Sequence, residues 1–159
     1  MLIVSVITAY FIIINEKLHC DNLVQVSRLI TDIRTSALFY NLSFEQIIKH
    51  IYETEKYYSL DFIKLFSLIN DCTLSVPEKW KSCVEKSDCK LYQWEKDVLI
   101  KLCDSLCSCS RNDIENYCNR ALDDIDNFIG TAREKKEKTI KTKAVFTIST
   151  GVMIALLFI

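Results

Sequence analysis

Two glycines and one proline in 159 residues leave this chain almost no turn-forming material. Average usage is roughly 7% glycine and 5% proline. Strand-rich folds reverse direction every few residues and rely on those residues at their turns, so a sandwich or barrel is excluded. Half the residues are apolar and 26% are charged, which excludes a disordered tail. Lys and Arg number 20 against 21 Asp and Glu, a net charge of −1. The basic excess of a nucleic-acid binder is missing. The length suits one domain, so the chain reads as a single, mostly helical unit.

The charges are unevenly placed. Residues 1–14 and 144–159 contain no Asp, Glu, Lys or Arg, so every formal charge falls between Asn15 and Lys143. This predicts an N-terminal membrane segment at 1–18, a helical domain at 19–139 and a C-terminal transmembrane helix at 140–159. A 16-residue helix covers about 24 Å against a hydrocarbon core of roughly 30 Å. The C-terminal segment lengthens inward to Ile140 if Lys141 and Lys143 snorkel. The N-terminal segment has two competitors, a cleaved signal peptide and a buried core helix. A signal peptide should open on basic residues and end at a small-x-small site, whereas Met1 is followed directly by Leu-Ile-Val.

Six Lys or Arg lie between Arg133 and Lys143, and Lys17, Arg28 and Arg34 follow the N-terminal segment. Basic residues stay on the cytoplasmic side, so the middle domain is expected in the cytoplasm. The same run favours anionic headgroups. In that reducing compartment the eight cysteines, at 20, 72, 83, 89, 103, 107, 109 and 118, are expected as thiols. No Cys-x-x-Cys occurs, and packing as small apolar groups is the stronger reading of them. Cys103, Cys107 and Cys109, with Cys118, are the one cluster with any metal-ligand spacing.

Caps and stripes outline six helices. Leu23, Val26, Ile30, Ile33, Ala37 and Tyr40 form a helical stripe that Asn41 closes. Ser43 is placed to cap a helix carrying Phe44, Ile47, Ile48 and Ile51. Ser59 is expected to cap a third, with Leu60, Ile63, Leu65, Phe66 and Ile69. Ser75-Val-Pro-Glu78 is a capping box with proline in the first turn, and Trp80 and Val84 follow on its apolar face. A fifth helix is read over Lys90–Cys107, with Leu91, Trp94, Val98, Leu99, Leu102 and Leu106. Ser110 and Asp113 open the last, whose stripe is Ile114, Cys118, Ala121, Ile125, Phe128 and Ala132. The predicted fold is all-α: a bundle of about six helices, the first and last long and antiparallel and continuing into the membrane segments. The four shorter helices are expected to cap this pair at the far end from the membrane.

Nothing in the sequence resembles catalytic apparatus. His19 and His50 are the only histidines, and neither sits in a metalloprotease or deaminase pattern. Two isolated glycines cannot form a phosphate-binding loop. Asp123, Asp124 and Asp126 read as a solvated helix face. No cofactor, metal, nucleic acid or small-molecule substrate is expected. For a protein partner, Lys79, Lys81, Lys86 and Lys90 are the candidate contact residues, on loops and helices expected to lie far from the membrane.

The layout resembles the stage III sporulation protein AB family of endospore-forming bacteria. Tyr40-Asn41-Leu42-Ser43-Phe44-Glu45 stands where that family ends its first helix with a Tyr-Gly-x-Thr-Pro-Leu pattern. Trp80 matches its mid-chain tryptophan. Leu102 to Ser110 stands at its Phe-Gly-x-x-Leu-Gly-x-Ser-Asp stretch, with Cys103 and Cys107 in place of both glycines. Ala132, Lys135 to Lys143 and Gly151 match its tail. The resemblance implies a domain similar to the inner-membrane platform protein of type II secretion and type IV pilus machines. It also implies a non-enzymatic scaffold in the mother-cell membrane facing the forespore. That scaffold would dock a cytoplasmic hexameric ATPase of the stage III sporulation protein AA type, among other channel components. Two other readings stand beside it: an exported, disulfide-containing helical protein tethered by its C-terminus, and a membrane-anchored metal-binding regulator.

Overall fold

The computed structural model describes residues 2–40, 42–69 and 73–157, with side chains described for 14–40, 42–69, 73–110, 113–139 and 142. Six helices account for most of them: α1 (Leu2–Phe39), α2 (Phe44–Glu53), α3 (Asp61–Leu68), α4 (Val76–Lys86), α5 (Gln93–Ser108) and α6 (Arg111–Leu157). No strand occurs among the described residues. Both long helices run without a break through the expected domain boundaries at 18–19 and 139–140. Asn41 and Cys72 lie outside the described residues.

Two helix starts follow the sequence closely. Ser43 Oγ accepts the Gln46 N–H at 3.4 Å, and Gln46 Oε1 accepts the Ser43 N–H at 3.0 Å. Ser75 and Glu78 repeat this exchange at 3.4 and 2.9 Å, with Pro77 in the first turn. Each box satisfies two amides that a helix start otherwise leaves without partners. At the start of α6, Ser110 Oγ donates to Asp113 Oδ2 at 3.1 Å.

Two starts differ. Ser59 does not cap α3, whose N-cap is Leu60, with no side-chain cap bond. The chain enters through a turn in which Glu55 takes a positive φ of 50°, and Ser59 Oγ donates instead to Asn22 Oδ1 on α1 at 3.0 Å. Leu65, expected in the core, is 36% exposed. The fifth helix begins at Gln93 rather than Lys90, because Leu91 N–H bonds to Cys89 O at 2.8 Å, which holds residues 89–91 in a tight turn, and Tyr92 is extended as the N-cap. Tyr40 lies just past the end of α1 and is 70% exposed, so it leaves the expected stripe.

α1 and α6 make the longest interface in the bundle. Ser27 Oγ donates to Asp126 Oδ1 at 3.3 Å, Arg34 Nη1 to Asn119 Oδ1 at 2.7 Å, and Lys135 Nζ pairs with Glu16 Oε1 at 2.7 Å. As the residue number rises along α1 it falls along α6, so the two are antiparallel, as the sequence indicates. Leu23, Val26, Ile30 and Ile33 are fully buried against a facing row of Cys118, Ala121, Ile125 and Ala132.

The shorter helices pack along one side of this pair, not beyond its far end. α2 returns beside α1, so that Tyr57 Oη donates to Asp32 Oδ2 at 2.6 Å and Ser59 reaches Asn22. This return lets Ile47, Ile48 and Ile51 bury. Trp80 on α4 sits at the centre, its ring 5.0 Å from Phe44, 5.3 Å from Phe62 and 5.5 Å from Phe66, all edge-on. Its Nε1–H donates to Leu99 O on α5 at 3.0 Å. Aromatic rings favour this edge-to-face geometry at such spacings.

Among the described residues no helix is long and apolar enough to cross a membrane. The expected segments at 1–18 and 140–159 therefore find no support there. Most of their side chains, at 1–13, 140–141 and 143–159, lie outside the described ones.

Candidate functional site

The densest polar cluster forms where α1, the start of α5 and α6 meet. His19 Nε2 donates to Glu95 Oε1 and Oε2, 2.9 Å from each. Both side chains are buried. Glu95 Oε2 also accepts the Tyr92 N–H at 2.7 Å, so one carboxylate starts α5 and ties it to α1. The His19 ring meets the Tyr92 ring edge-on at 4.6 Å. From α6, Lys135 Nζ donates to Glu16 Oε1 at 2.7 Å and to Tyr92 Oη at 3.3 Å. Those bonds, from Glu16 first and Tyr92 next, raise the Lys135 ammonium above its ordinary pKa.

The loop between α4 and α5 is fixed by its own side chains. Ser87 Oγ donates to Val84 O at 2.7 Å, and the Asp88 N–H to Asp61 Oδ2 at 2.9 Å. Lys96 Nζ donates to Ser87 O at 3.0 Å and Glu85 O at 3.4 Å. This places a buried cation on the last carbonyls of α4, where the helix dipole is negative. Between this loop and α1 lies an open cleft of about 410 Å³, lined by Asn15, Glu16, His19 and residues 87–92. The cluster uses its histidine and glutamates in bonds between helices and so forms a joint of α1, α5 and α6.

The sequence missed this joint. Its one local signal is Tyr92-x-x-Glu95, a glutamate at the third helical position reaching back to the residue before the helix. The lysine patch does not hold together. Lys79 is buried, whereas Lys81, Lys86 and Lys90 are exposed. Lys90 also lines the groove beside Leu18 and Asn22, so it sits at the end of α1 that leads into the uncharged stretch, opposite to the expected position. The α4 helix turns Lys79 inward because it stands next to Trp80 on the packed side.

The seven described cysteines are all free, against the disulfide reading. Cys103 and Cys107 lie along α5 with sulfurs 4.0 Å apart, about twice a disulfide bond length of roughly 2.05 Å. Burial pushes the Cys103 thiol far above its usual range and Cys118 up to about 11, the latter partly offset by Arg34. Cys107 and Cys109 are raised as well, chiefly by burial. Protonated thiols are poor ligands and poor nucleophiles. Among the described residues no group of three or more His, Cys, Asp or Glu is placed to hold a metal ion. His50 is exposed on α2, and Asp123, Asp124 and Asp126 are exposed on α6, the solvated face that the spacing implied.

Among the described residues, six helices, with two long antiparallel ones joined at one end through Glu16 and Lys135 and tied there to α5 by the buried His19–Glu95 pair, define an all-helical bundle whose most elaborate site is structural. The family model for stage III sporulation protein AB matches residues 1–159, and the chain belongs to that family. Membership implies a role in stage III of sporulation. Comparison with curated proteins and with solved structures found no match in either.

Proposed function

We propose that this protein is a non-enzymatic membrane platform of the channel complex between mother cell and forespore. Its bundle faces the mother-cell cytoplasm and docks a hexameric ATPase of the stage III sporulation protein AA type. The observation that carries this reading is the antiparallel α1–α6 pairing. It brings the two uncharged stretches of sequence out at the same end of the bundle, with Glu16 and Lys135 bonded at 2.7 Å where they leave it. Family membership and the six basic residues at 133–143 support it further.

The helices also pass from bundle to ends without a glycine-rich linker, which suits a part that transmits force from an ATPase. Among the four candidate lysines, Lys81 and Lys86 are exposed on α4. They are the first choice for an electrostatic dock. Co-purification of the full chain with the ATPase from the same genome tests the proposal. Association that weakens with added salt and with Lys81→Glu plus Lys86→Glu is expected. No association, together with normal sporulation in the deletion strain, overturns it.

A further inference from the structure

Trp94 is an unusual residue to leave in the open. It is 56% exposed and stacks on the partly exposed Tyr92, with ring centroids 4.6 Å apart and planes 19° from parallel. Tyr92 in turn lies against His19 and under the Lys135 ammonium, which is 5.8 Å from its ring centroid. The aromatic pair is therefore fixed at the level of Glu16 to His19 on α1.

That level is informative. Charge-free sequence ends at Asn15. From there to His19 a helix rises only about 6 Å. A bilayer of about 40–45 Å overall has a hydrocarbon core of about 30 Å, which leaves each headgroup layer about 5–8 Å deep. If the uncharged stretch of α1 lies in the core with its inner end at the core boundary, Tyr92 and Trp94 stand in the headgroup layer. Tryptophan and tyrosine concentrate at that depth because one end of each ring system is apolar and the other polar. Neighbouring groups suit the same layer. Leu18 is 44% exposed, and Lys17 and Lys90 are exposed beside it. Glu16, the first acid after the uncharged stretch, is neutralised by Lys135. On α6, Arg133, Lys135 and Lys136 add three basic residues against one glutamate at the level of Glu16.

We infer that the Tyr92–Trp94 stack, with Leu18, Lys17 and Lys90, is a second membrane contact, through which the side of the bundle rests on an anionic bilayer surface. This inference depends on the membrane reading above. The two uncharged ends alone would leave the bundle free to tilt on its two long helices. A side contact contributed by α5 sets the tilt and holds the α4–α5 loop at the membrane.

The chain has two tryptophans, and the other, Trp80, is buried. The full-length Trp80→Phe variant thus makes Trp94 the sole emitter. It is reconstituted into vesicles of phosphatidylglycerol and phosphatidylcholine in equal parts, with bromine placed either high or low on the acyl chains. The wild-type spectrum minus that of Trp94→Phe serves if Trp80→Phe fails to fold. The expected result is emission quenched most by high-placed bromine and shielded from aqueous iodide. Retention in the vesicles after alkaline extraction, with Trp94 quenched by iodide and not by bromine, overturns the inference and leaves the membrane reading standing. Loss of the chain from the vesicles on alkaline extraction overturns both.

Discussion

His19 on α1 and Glu95 on α5 are joined by a bond from Nε2 to both carboxylate oxygens, 2.9 Å each, across 76 positions of sequence. Both side chains are buried, so neither can recover its bonds from water if the other is removed. Breaking a buried pair by removing one partner typically costs 3–5 kcal/mol. His19→Ala is therefore expected to destabilise the bundle by about that much, since it leaves Glu95 with only the Tyr92 amide. Glu95→Gln keeps an acceptor for His19 and is expected to cost less than half as much. Urea unfolding followed by circular dichroism reads both. Equal midpoints for His19→Ala and wild type would show that the joint carries no stability.

The helix starts make a paired test. Ser75→Ala and Ser43→Ala each remove a working cap, at a cost of about 1 kcal/mol. Ser59→Ala removes no cap, because α3 starts without one. It loses only the bond to Asn22. Amide exchange separates the cases: the first turns of α4 and α2 should exchange faster in their own variants. The first turn of α3 should be unchanged in Ser59→Ala.

Much of this architecture was readable from spacing. Leu23 to Ala37 and Cys118 to Ala132 repeat at three and four residues, which fixes a face, and the two faces do meet. Ser43 and Ser75 were readable because a cap and its partner are three residues apart. The polar joint was not, because its partners come from three helices. Charge also hid the buried face of α5, which is Glu95, Lys96, Leu99, Leu102 and Cys103. Reading only apolar residues moved the face toward Trp94, which points out. Lys79 failed for a related reason: a lysine beside a buried tryptophan is carried inward by the turn they share.

Trp80 should be the most costly single side chain to remove. Three phenylalanine rings close on it, and its indole N–H bonds to Leu99 O. Trp80→Ala is expected to cost about 3–5 kcal/mol through the cavity it leaves. Trp80→Phe retains an aromatic ring and gives up the hydrogen bond, leaving Leu99 O to the helix alone. Its cost should stay near 1–2 kcal/mol. Thermal melts of the two variants rank them. A Phe variant as unstable as the Ala variant would show that the bond to Leu99, and not the packing, holds α4 to α5.

Stability should fall in alkali before the lysines themselves discharge. Burial raises the Cys118 thiol to about 11, from an ordinary value near 9. Between those values the unfolded chain has already released the proton that the folded chain still holds. The unfolded state thus binds fewer protons, and unfolding becomes easier as pH rises. The contribution is complete below about pH 9 and is lost progressively toward pH 11, an effect of order 2 kcal/mol. Tyr57, raised chiefly by burial and then by its bond to Asp32, and Lys135, raised by Glu16 and Tyr92, act in the same direction. Cys118→Ala removes one of these groups and fits the small neighbour Ala121 on the same stripe. Melting temperatures measured from pH 8 to pH 11 should fall less steeply in that variant than in wild type. Parallel slopes would mean that the Cys118 thiol titrates alike in the folded and unfolded chains.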